Sequence, residues 1–224
     1  MTTPDVTSAD RKPAGPWAWL TLGRGCWAAL VLLVTVIGLT TTYQSSSTAD
    51  AQSKPKFDPA QYASKTFMAK VVPAVKKNAV DITTLHKAIA ADPEAAGQRY
   101  GHRAGTGPYS YSVSLTGTAG EARSGLLPVT MNGLGKVRVS VQIGPVVSGT
   151  ALRDAPGFIK FGQFTNQVEY ADAATALNAE MKTKVLASFD AEATDGKKVT
   201  VIGAMTPLTG DVLTITPVSI EVAS

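Results

Sequence analysis

Residues 109–143, YSYSVSLTGTAGEARSGLLPVTMNGLGKVRVSVQI, contain the alternating pattern that decides the fold. Apolar and polar residues alternate over Tyr109–Leu115, which is typical of a half-buried β-strand. A second strand is predicted at Leu126–Met131 and a third, again alternating, at Val137–Ile143. Asn132-Gly133, between the second and third strands, is a strong signal for a tight turn. The segment therefore predicts three consecutive strands at the start of a β domain.

A helix and two further strands are predicted after this segment. Apolar residues recur at helical spacing over Ala171–Val185, and strand patterns follow at Lys198–Met205 and Val212–Val222. The OB-fold, a five-stranded Greek-key barrel, has this order of strands, with its helix between the third and fourth. We therefore predict an α+β protein with an OB-fold-like barrel at residues 109–224. A plain α+β sheet with helices on one face is the alternative.

Residues 57–108 are predicted to form a helical segment that packs on the barrel. Asp58-Pro59 fits an N-cap followed by proline in the first turn, and Asp81 can cap a second helix. Asp92-Pro93 either ends that helix or starts another turn. Within the barrel, Pro128 favours an edge position for the second strand, because proline donates no backbone hydrogen bond.

The N-terminal part of the chain predicts a membrane anchor. Residues 26–43, CWAALVLLVTVIGLTTTY, carry no charge, and as a helix they would span roughly 27 Å, just under the hydrocarbon thickness of a bilayer. The basic residues of this region all precede the apolar run, so the positive-inside rule predicts a cytoplasmic segment at 1–24. We therefore expect one transmembrane helix at 25–43 in the plasma membrane, a flexible linker at 44–56 and an extracytoplasmic domain.

Two other interpretations compete with this anchor. A cleaved signal peptide would use Ala49-Asp50-Ala51, which resembles a cleavage site but lies far beyond the apolar run. A lipoprotein needs a cysteine directly after the run, whereas Cys26 stands before it. The sequence therefore favours an uncleaved protein anchor over both.

Composition and motifs exclude several classes of function. Lys and Arg number 21 against 17 Asp and Glu, and this net charge of +4 is spread without a basic block, so no nucleic-acid partner is expected. The single cysteine excludes an internal disulfide framework. No G-x-S-x-G, H-E-x-x-H, paired C-x-x-C or P-loop motif occurs, so no catalytic residues, metal ligands or cofactors are predicted. A catalytic triad defined by geometry alone stays open.

Two charged segments of the domain are candidates for ligand binding. His102 and Arg103 lie in the glycine-flanked stretch 101–105, which could bind an anion or serve as an ordinary connection. Arg153 and Asp154 follow a turn-rich stretch. There the guanidinium could hold a carboxylate or phosphate at two points, or pair with other residues of the domain.

A third candidate segment stands at the predicted start of the long helix. Asn166, Gln167 and Glu169 carry amide and carboxylate groups that suit the hydroxyl groups of a sugar. Asn166 is also a good N-cap, and Glu169 lies at the capping-box spacing. The capping interpretation is the stronger of the two.

Several stretches resemble a bacterial family of predicted periplasmic lipoproteins of unknown function. They are, in order, Phe57-Asp58-Pro59, Lys70–Ala74, Tyr100–Arg103, Gln142–Asp154, Phe164–Ala171, Ala176–Asn178 and Thr216–Val218. Members of that family are often encoded beside sugar ABC transporters, so the resemblance implies an accessory role in solute uptake. It implies no catalytic residues, and the position of Cys26 departs from the lipoprotein label.

These observations lead to three functional hypotheses. We expect a non-enzymatic accessory or binding protein that contacts a transporter component or a small polar solute. The first alternative is an enzyme acting on envelope glycans, with Asp154 or Glu169 as acid or base. The second is an OB-fold module that binds oligonucleotides or oligosaccharides, which needs stacking aromatic residues on the barrel face.

Overall fold

Residues 31–35 and 56–223 are described by the computed structural model of the chain. The predicted cytoplasmic segment 1–24, most of the anchor and nearly all of the linker lie outside these ranges. Residues 31–35, within the apolar run, are helical. Among the described residues no helix has the length and apolar character needed to cross a membrane. Residues from Phe57 onward fold as one unit, to which all further description applies.

Five long strands close into a barrel. The strands are β3 (Ser110–Ala119), β4 (Leu126–Thr130), β5 (Arg138–Gln142), β6 (Lys198–Met205) and β7 (Val212–Val222). They pair in the order β3–β4–β5–β7–β6, and β6 returns to β3. The β5–β7 pair is parallel and the others are antiparallel. This closure confirms the OB-fold-like barrel and excludes the open sheet.

Two short strands extend the sheet at the N-terminal half of β3. Strand β1 (Val80–Asp81) pairs with it in parallel, and β2 (Gly101–His102) pairs with it antiparallel. The second pairing sets Gly101 opposite Tyr111 and His102 opposite Ser110. The helical segment before the barrel is therefore hydrogen-bonded to its first strand.

The edge position predicted from Pro128 is wrong. Strand β4 lies between β3 and β5, with Pro128 opposite Ser140. The β3–β4 ladder ends beside this proline, where the Pro128 carbonyl accepts a hydrogen bond from the Gly120 amide. Proline has no backbone N–H, and it fits at position 128 because the β3–β4 ladder needs no donor from that residue.

Three of the four helices described before the barrel begin at the predicted capping residues. The four are α1 (Pro59–Thr66), α2 (Val72–Asn78), α3 (Ile82–Ala91) and α4 (Pro93–Tyr100), with a π-helical turn at Phe67–Val71 between the first two. The side chains of Asp58, Asp81 and Asp92 accept backbone hydrogen bonds at the starts of α1, α3 and α4. Each carboxylate satisfies amides that the first helical turn leaves free.

The stretch between β5 and the long helix is partly helical. It contains the short helix α5 (Ala151–Asp154) and a 3-10 turn at Phe161–Gln163. The long helix, α6 (Gln167–Met181), begins four residues before the predicted apolar stripe and continues as a π-helical turn at Lys182–Leu186. This start, directly after the predicted N-cap Asn166, puts Tyr170 on a helix that packs over α5.

Two apolar clusters form the core. The barrel interior holds one, built from alternating residues of all five strands together with Ile82 and Leu85 of α3. The second lies outside the barrel, where Phe67, Val71 and Val75 pack with residues of α5, α6, β6 and β7. The helices thereby cover one side of the barrel and leave other parts of its surface open.

Candidate functional site

Two neighbouring cavities share one residue, Arg103. The larger, of about 610 Å³, lies between the start of α4, the β2–β3 connection and the β6–β7 turn at Pro207–Gly210. The smaller, of about 100 Å³, lies between residues 103–105 and the α5–α6 connection. Because Arg103 lines both, a ligand that occupies the two cavities would contact this side chain in each.

Strand pairing places Arg103 beside Tyr109. His102 is paired with Ser110, so the residues that follow and precede them meet at the end of the β2–β3 ladder. The guanidinium carbon of Arg103 lies 4.4 Å from the centroid of the Tyr109 ring, a cation–π distance. Nη1 of Arg103 lies 3.4 Å from Oε2 of Glu94, and the Tyr109 hydroxyl donates to Oε1 of Glu94 over 2.9 Å.

Hydrogen bonding and burial set the ionisation of this group. The Gln98 side chain, and then the Tyr109 hydroxyl, lower the pKa of the Glu94 carboxyl by donating to its ionised form. Burial, and then the hydrogen bond to Glu94, raise the pKa of Tyr109. At neutral pH the larger cavity is therefore lined by a carboxylate, a guanidinium and a neutral phenol.

Arg153 and Asp154 form a buried pair with each other. Nε and Nη2 of Arg153 donate to the two carboxylate oxygens of Asp154 over 2.8 and 3.0 Å, and their side chains are 8% and 10% exposed. Nη1 donates to the Tyr170 carbonyl over 3.1 Å, and the guanidinium carbon lies 3.6 Å from the Tyr170 ring centroid. Arg153 therefore has a structural role.

Tyr170 completes this arrangement. Its hydroxyl donates to Oδ1 of Asp154 over 3.1 Å, so three hydrogen bonds hold that carboxylate. Burial, and then the charge of Asp154, raise the pKa of Tyr170, which stays neutral at physiological pH. Asp154 and Tyr170 both line the smaller cavity, whereas Arg153 is not among its lining residues.

His102 belongs to a strand and not to the predicted loop, because its backbone pairs with β3. The side chain is half-buried against Gly157, which has a φ of +80°. A Cβ atom at position 157 would lie 2.4 Å from the imidazole ring, so only glycine leaves room for it. His102 therefore fixes the β2–β3 connection against the α5–α6 connection and lines neither cavity.

Asn166 and Glu169 cap helix α6. Oδ1 of Asn166 accepts a hydrogen bond from the Glu169 amide over 2.9 Å, and Oε2 of Glu169 accepts from the Thr165 amide over 2.8 Å. This arrangement resembles a capping box shifted by one residue. Gln167 is exposed in the first turn. These three residues line neither cavity, so the structure separates them from Arg103 and Asp154.

Sequence reasoning missed several residues that line the two cavities. They are Glu94, Lys160, Phe161 and Tyr170, and also Tyr109, which was assigned to a strand alone. The packing of the first turn of α4 and of the 3-10 turn around residues 103–109 brings them together, and residue spacing does not predict this packing. In the described ranges no group of three His, Cys, Asp or Glu side chains could hold a metal ion.

Comparisons with known proteins agree with the barrel. A solved OB-fold protein from Thermotoga maritima is 21% identical and has a TM-score of 0.63, and the similarity covers 75% of this chain and 99% of that one. This likeness shows the fold alone. No curated protein matches the chain. A family model described as "Predicted periplasmic lipoprotein (DUF2291)" matches residues 29–221, and the chain therefore belongs to this family of extracytoplasmic proteins.

Proposed function

We propose that the protein is a non-enzymatic, membrane-anchored extracytoplasmic module that binds a small polar solute in the larger cavity. The observation that carries the proposal is the Glu94–Tyr109–Arg103 arrangement on the cavity wall. Glu94 and Arg103 offer opposite charges side by side, with side-chain exposures of 54% and 40%. Together they provide acceptors and donors that a solute can reach from outside.

A sugar-like solute fits this wall chemically. Its hydroxyl groups can donate to the Glu94 carboxylate and accept from the Arg103 guanidinium. The half-buried Tyr109 ring adds apolar surface to this wall, although the Arg103 guanidinium covers one of its faces and the ring also packs on Gly97. The cavity, at about 610 Å³, has a volume in the usual range for small-molecule sites, about 300–1,000 Å³.

The residues that a glycan-acting enzyme or an oligonucleotide-binding barrel would use give those two functions less support. Of the two carboxylates assigned to a glycan-acting enzyme, Asp154 is held by Arg153 and Tyr170, and Glu169 caps a helix. Neither is a free proton donor or acceptor facing the larger cavity. Strands β4 and β5 carry no aromatic side chain, so that face lacks the stacking platform of an oligonucleotide-binding barrel.

Solute binding is tested by titrating the full-length protein with a panel of neutral monosaccharides and disaccharides. We expect at least one sugar to raise the melting temperature and to give a saturable calorimetric signal. Arg103→Ala should weaken its affinity about tenfold, since a charge-assisted hydrogen bond is lost. Arg123→Ala, which removes an exposed guanidinium outside both cavities, should leave the affinity unchanged. The proposal fails if neither a sugar of this panel nor an acidic sugar of similar size binds.

We further propose that residues 25–43 anchor this module beside a transporter component, as the family resemblance implies. Cys26→Ser tests the anchor. If the anchor is a protein helix, the variant stays in the membrane fraction after an alkaline wash. If the anchor is a lipid on Cys26, the variant is released. Affinity capture from gently solubilised membranes tests the partner, with an unrelated domain on the same anchor as control. Recovery of a transporter subunit with the native domain alone supports the association, and its absence contradicts it.

A further inference from the structure

We infer that the bound solute carries an anionic group, a carboxylate or a phosphate, which enters the smaller cavity between Arg103 and Lys160. This inference rests on the proposed function, because it extends the same site from the larger cavity into the smaller one. The observation behind it is that Arg103 lines both cavities. A solute seated against Glu94 and Tyr109 can therefore direct one substituent past Arg103.

The charges around the smaller cavity favour an anion. Its charged lining residues are Arg103, Lys160 and Asp154. The Asp154 carboxylate is already compensated by two hydrogen bonds from Arg153 and one from the Tyr170 hydroxyl. With Asp154 neutralised by Arg153, the positive charge on the wall comes from the ammonium of Lys160, unpaired among the described residues, and from the guanidinium of Arg103, whose only carboxylate contact among them is the 3.4 Å pair with Glu94.

Both cations retain unused donors within the described part of the chain. Arg103 uses Nη1 for Glu94, at the long distance of 3.4 Å, and its other two nitrogens donate to none of the described residues. The ammonium of Lys160 contacts no described carboxylate within 4.0 Å. Lys160 is exposed, so it can turn towards an incoming oxyanion without breaking an existing contact.

The size and walls of the smaller cavity limit what can enter it. A volume of about 100 Å³ accommodates roughly three water molecules at about 30 Å³ each, which is room for a carboxylate or phosphate but not for a second sugar ring. Phe161 and Tyr170 form an edge-to-face pair on the wall, with ring centroids 5.7 Å apart. These rings place apolar surface beside the two cations.

The test compares three probes of similar size on the full-length protein: glucose, glucuronate and glucose 6-phosphate. At constant ionic strength, we expect at least one acidic sugar to bind about tenfold more tightly than glucose, as measured by calorimetry. Whichever acidic sugar binds more tightly identifies the anion as carboxylate or phosphate. Raising the salt concentration should reduce this preference, because the contact is electrostatic.

Lys160→Gln distinguishes binding in the smaller cavity from binding in the larger one. The variant should lose most of the preference for the acidic sugar while its affinity for glucose stays within about twofold of wild type. Lys198→Gln, at an exposed lysine outside both cavities, should keep the full preference. Equal binding of neutral and acidic sugars, or a preference that survives in Lys160→Gln, would overturn this inference and leave the proposed function standing. Binding of none of the probes or panel sugars would overturn both.

Discussion

At the residue scale, Arg103 and Arg153 show that an arginine can line a cavity at one position and stabilise the fold at another. Both occur in glycine-rich or turn-rich sequence, and both were predicted as ligand-binding residues. The Arg153 side chain is 8% exposed and its donors serve Asp154 and the Tyr170 carbonyl, whereas the Arg103 side chain is 40% exposed on a cavity wall. Local sequence does not distinguish them, because the burial of Arg153 comes from helix α6, which follows later in the chain.

Removing the guanidinium of Arg153 should destabilise the protein strongly. In Arg153→Ala the Asp154 carboxylate stays nearly buried without its cation, and breaking such a pair costs about 3 kcal/mol. Urea denaturation at pH 7 measures the loss of unfolding free energy. Arg123→Ala, which breaks an exposed pair with Glu121, should leave the midpoint within experimental error. Equal midpoints for both variants would contradict the structural role of Arg153.

Gly157 is the second residue whose role depends on a distant contact. Gly157→Ala adds a methyl group against the His102 ring at a φ of +80°, so we expect a loss of about 3 kcal/mol from strain and overpacking together. Gly105→Ala, at a φ of +56° in open space, should cost only the backbone strain, about 1 kcal/mol. If the ring is the obstacle, adding His102→Ala should reduce the cost of Gly157→Ala in a double-mutant cycle. Additive effects would show that the two residues do not interact.

The sequence pattern predicts most of the elements, with errors at their ends. Strands β6 and β7 have the predicted bounds, Lys198–Met205 and Val212–Val222. Strand β3 extends to Ala119, four residues beyond the predicted alternation, because its pairing with β6 continues through Gly117. At that position a Cβ atom would lie 2.6 Å from the Thr130 carbonyl oxygen. Gly117 therefore permits a close approach between the two strands.

The start of helix α6 provides a prediction at the element scale. Asn166→Ala should lower the unfolding free energy by about 1 kcal/mol, because the Glu169 amide loses its acceptor. The affinity for the solute should not change, since Asn166 lines neither cavity. Chemical denaturation and calorimetry measure the two quantities, with Gln167→Ala as a neutral control. If Asn166→Ala instead weakened solute binding and left the unfolding free energy unchanged, Asn166 would belong to the binding site.

At the scale of the whole molecule, the helical segment and the barrel depend on each other. Helices α1 and α2 have no core of their own and cover apolar residues of β6, β7 and α6. Strands β1 and β2 bond the same segment to β3. The predicted segments 57–108 and 109–224 are therefore parts of one folding unit.

A fragment that starts at Phe57 should fold without the preceding residues. All strand ladders of the described residues and both apolar clusters lie within Phe57–Ser224, so we expect one cooperative transition with a midpoint within about 2 °C of the full chain. Circular dichroism melting measures it. A fragment starting at Ile82 lacks α1, α2 and β1 and should lose this transition. Cooperative melting of the shorter fragment at the same temperature would show that α1 and α2 do not contribute to the fold.

The sequence by itself determined the local features of this protein. Alternation and turn residues specify the strands, Asp58, Asp81, Asp92 and Asn166 mark helix starts, and the order of elements predicts the barrel. These signals are readable because each acts within a few residues. Apart from Arg103, the candidate site was decided by the tertiary structure. Its wall combines Glu94, Arg103 and Tyr109 with the β6–β7 turn, and barrel closure brings together groups that are about 100 residues apart.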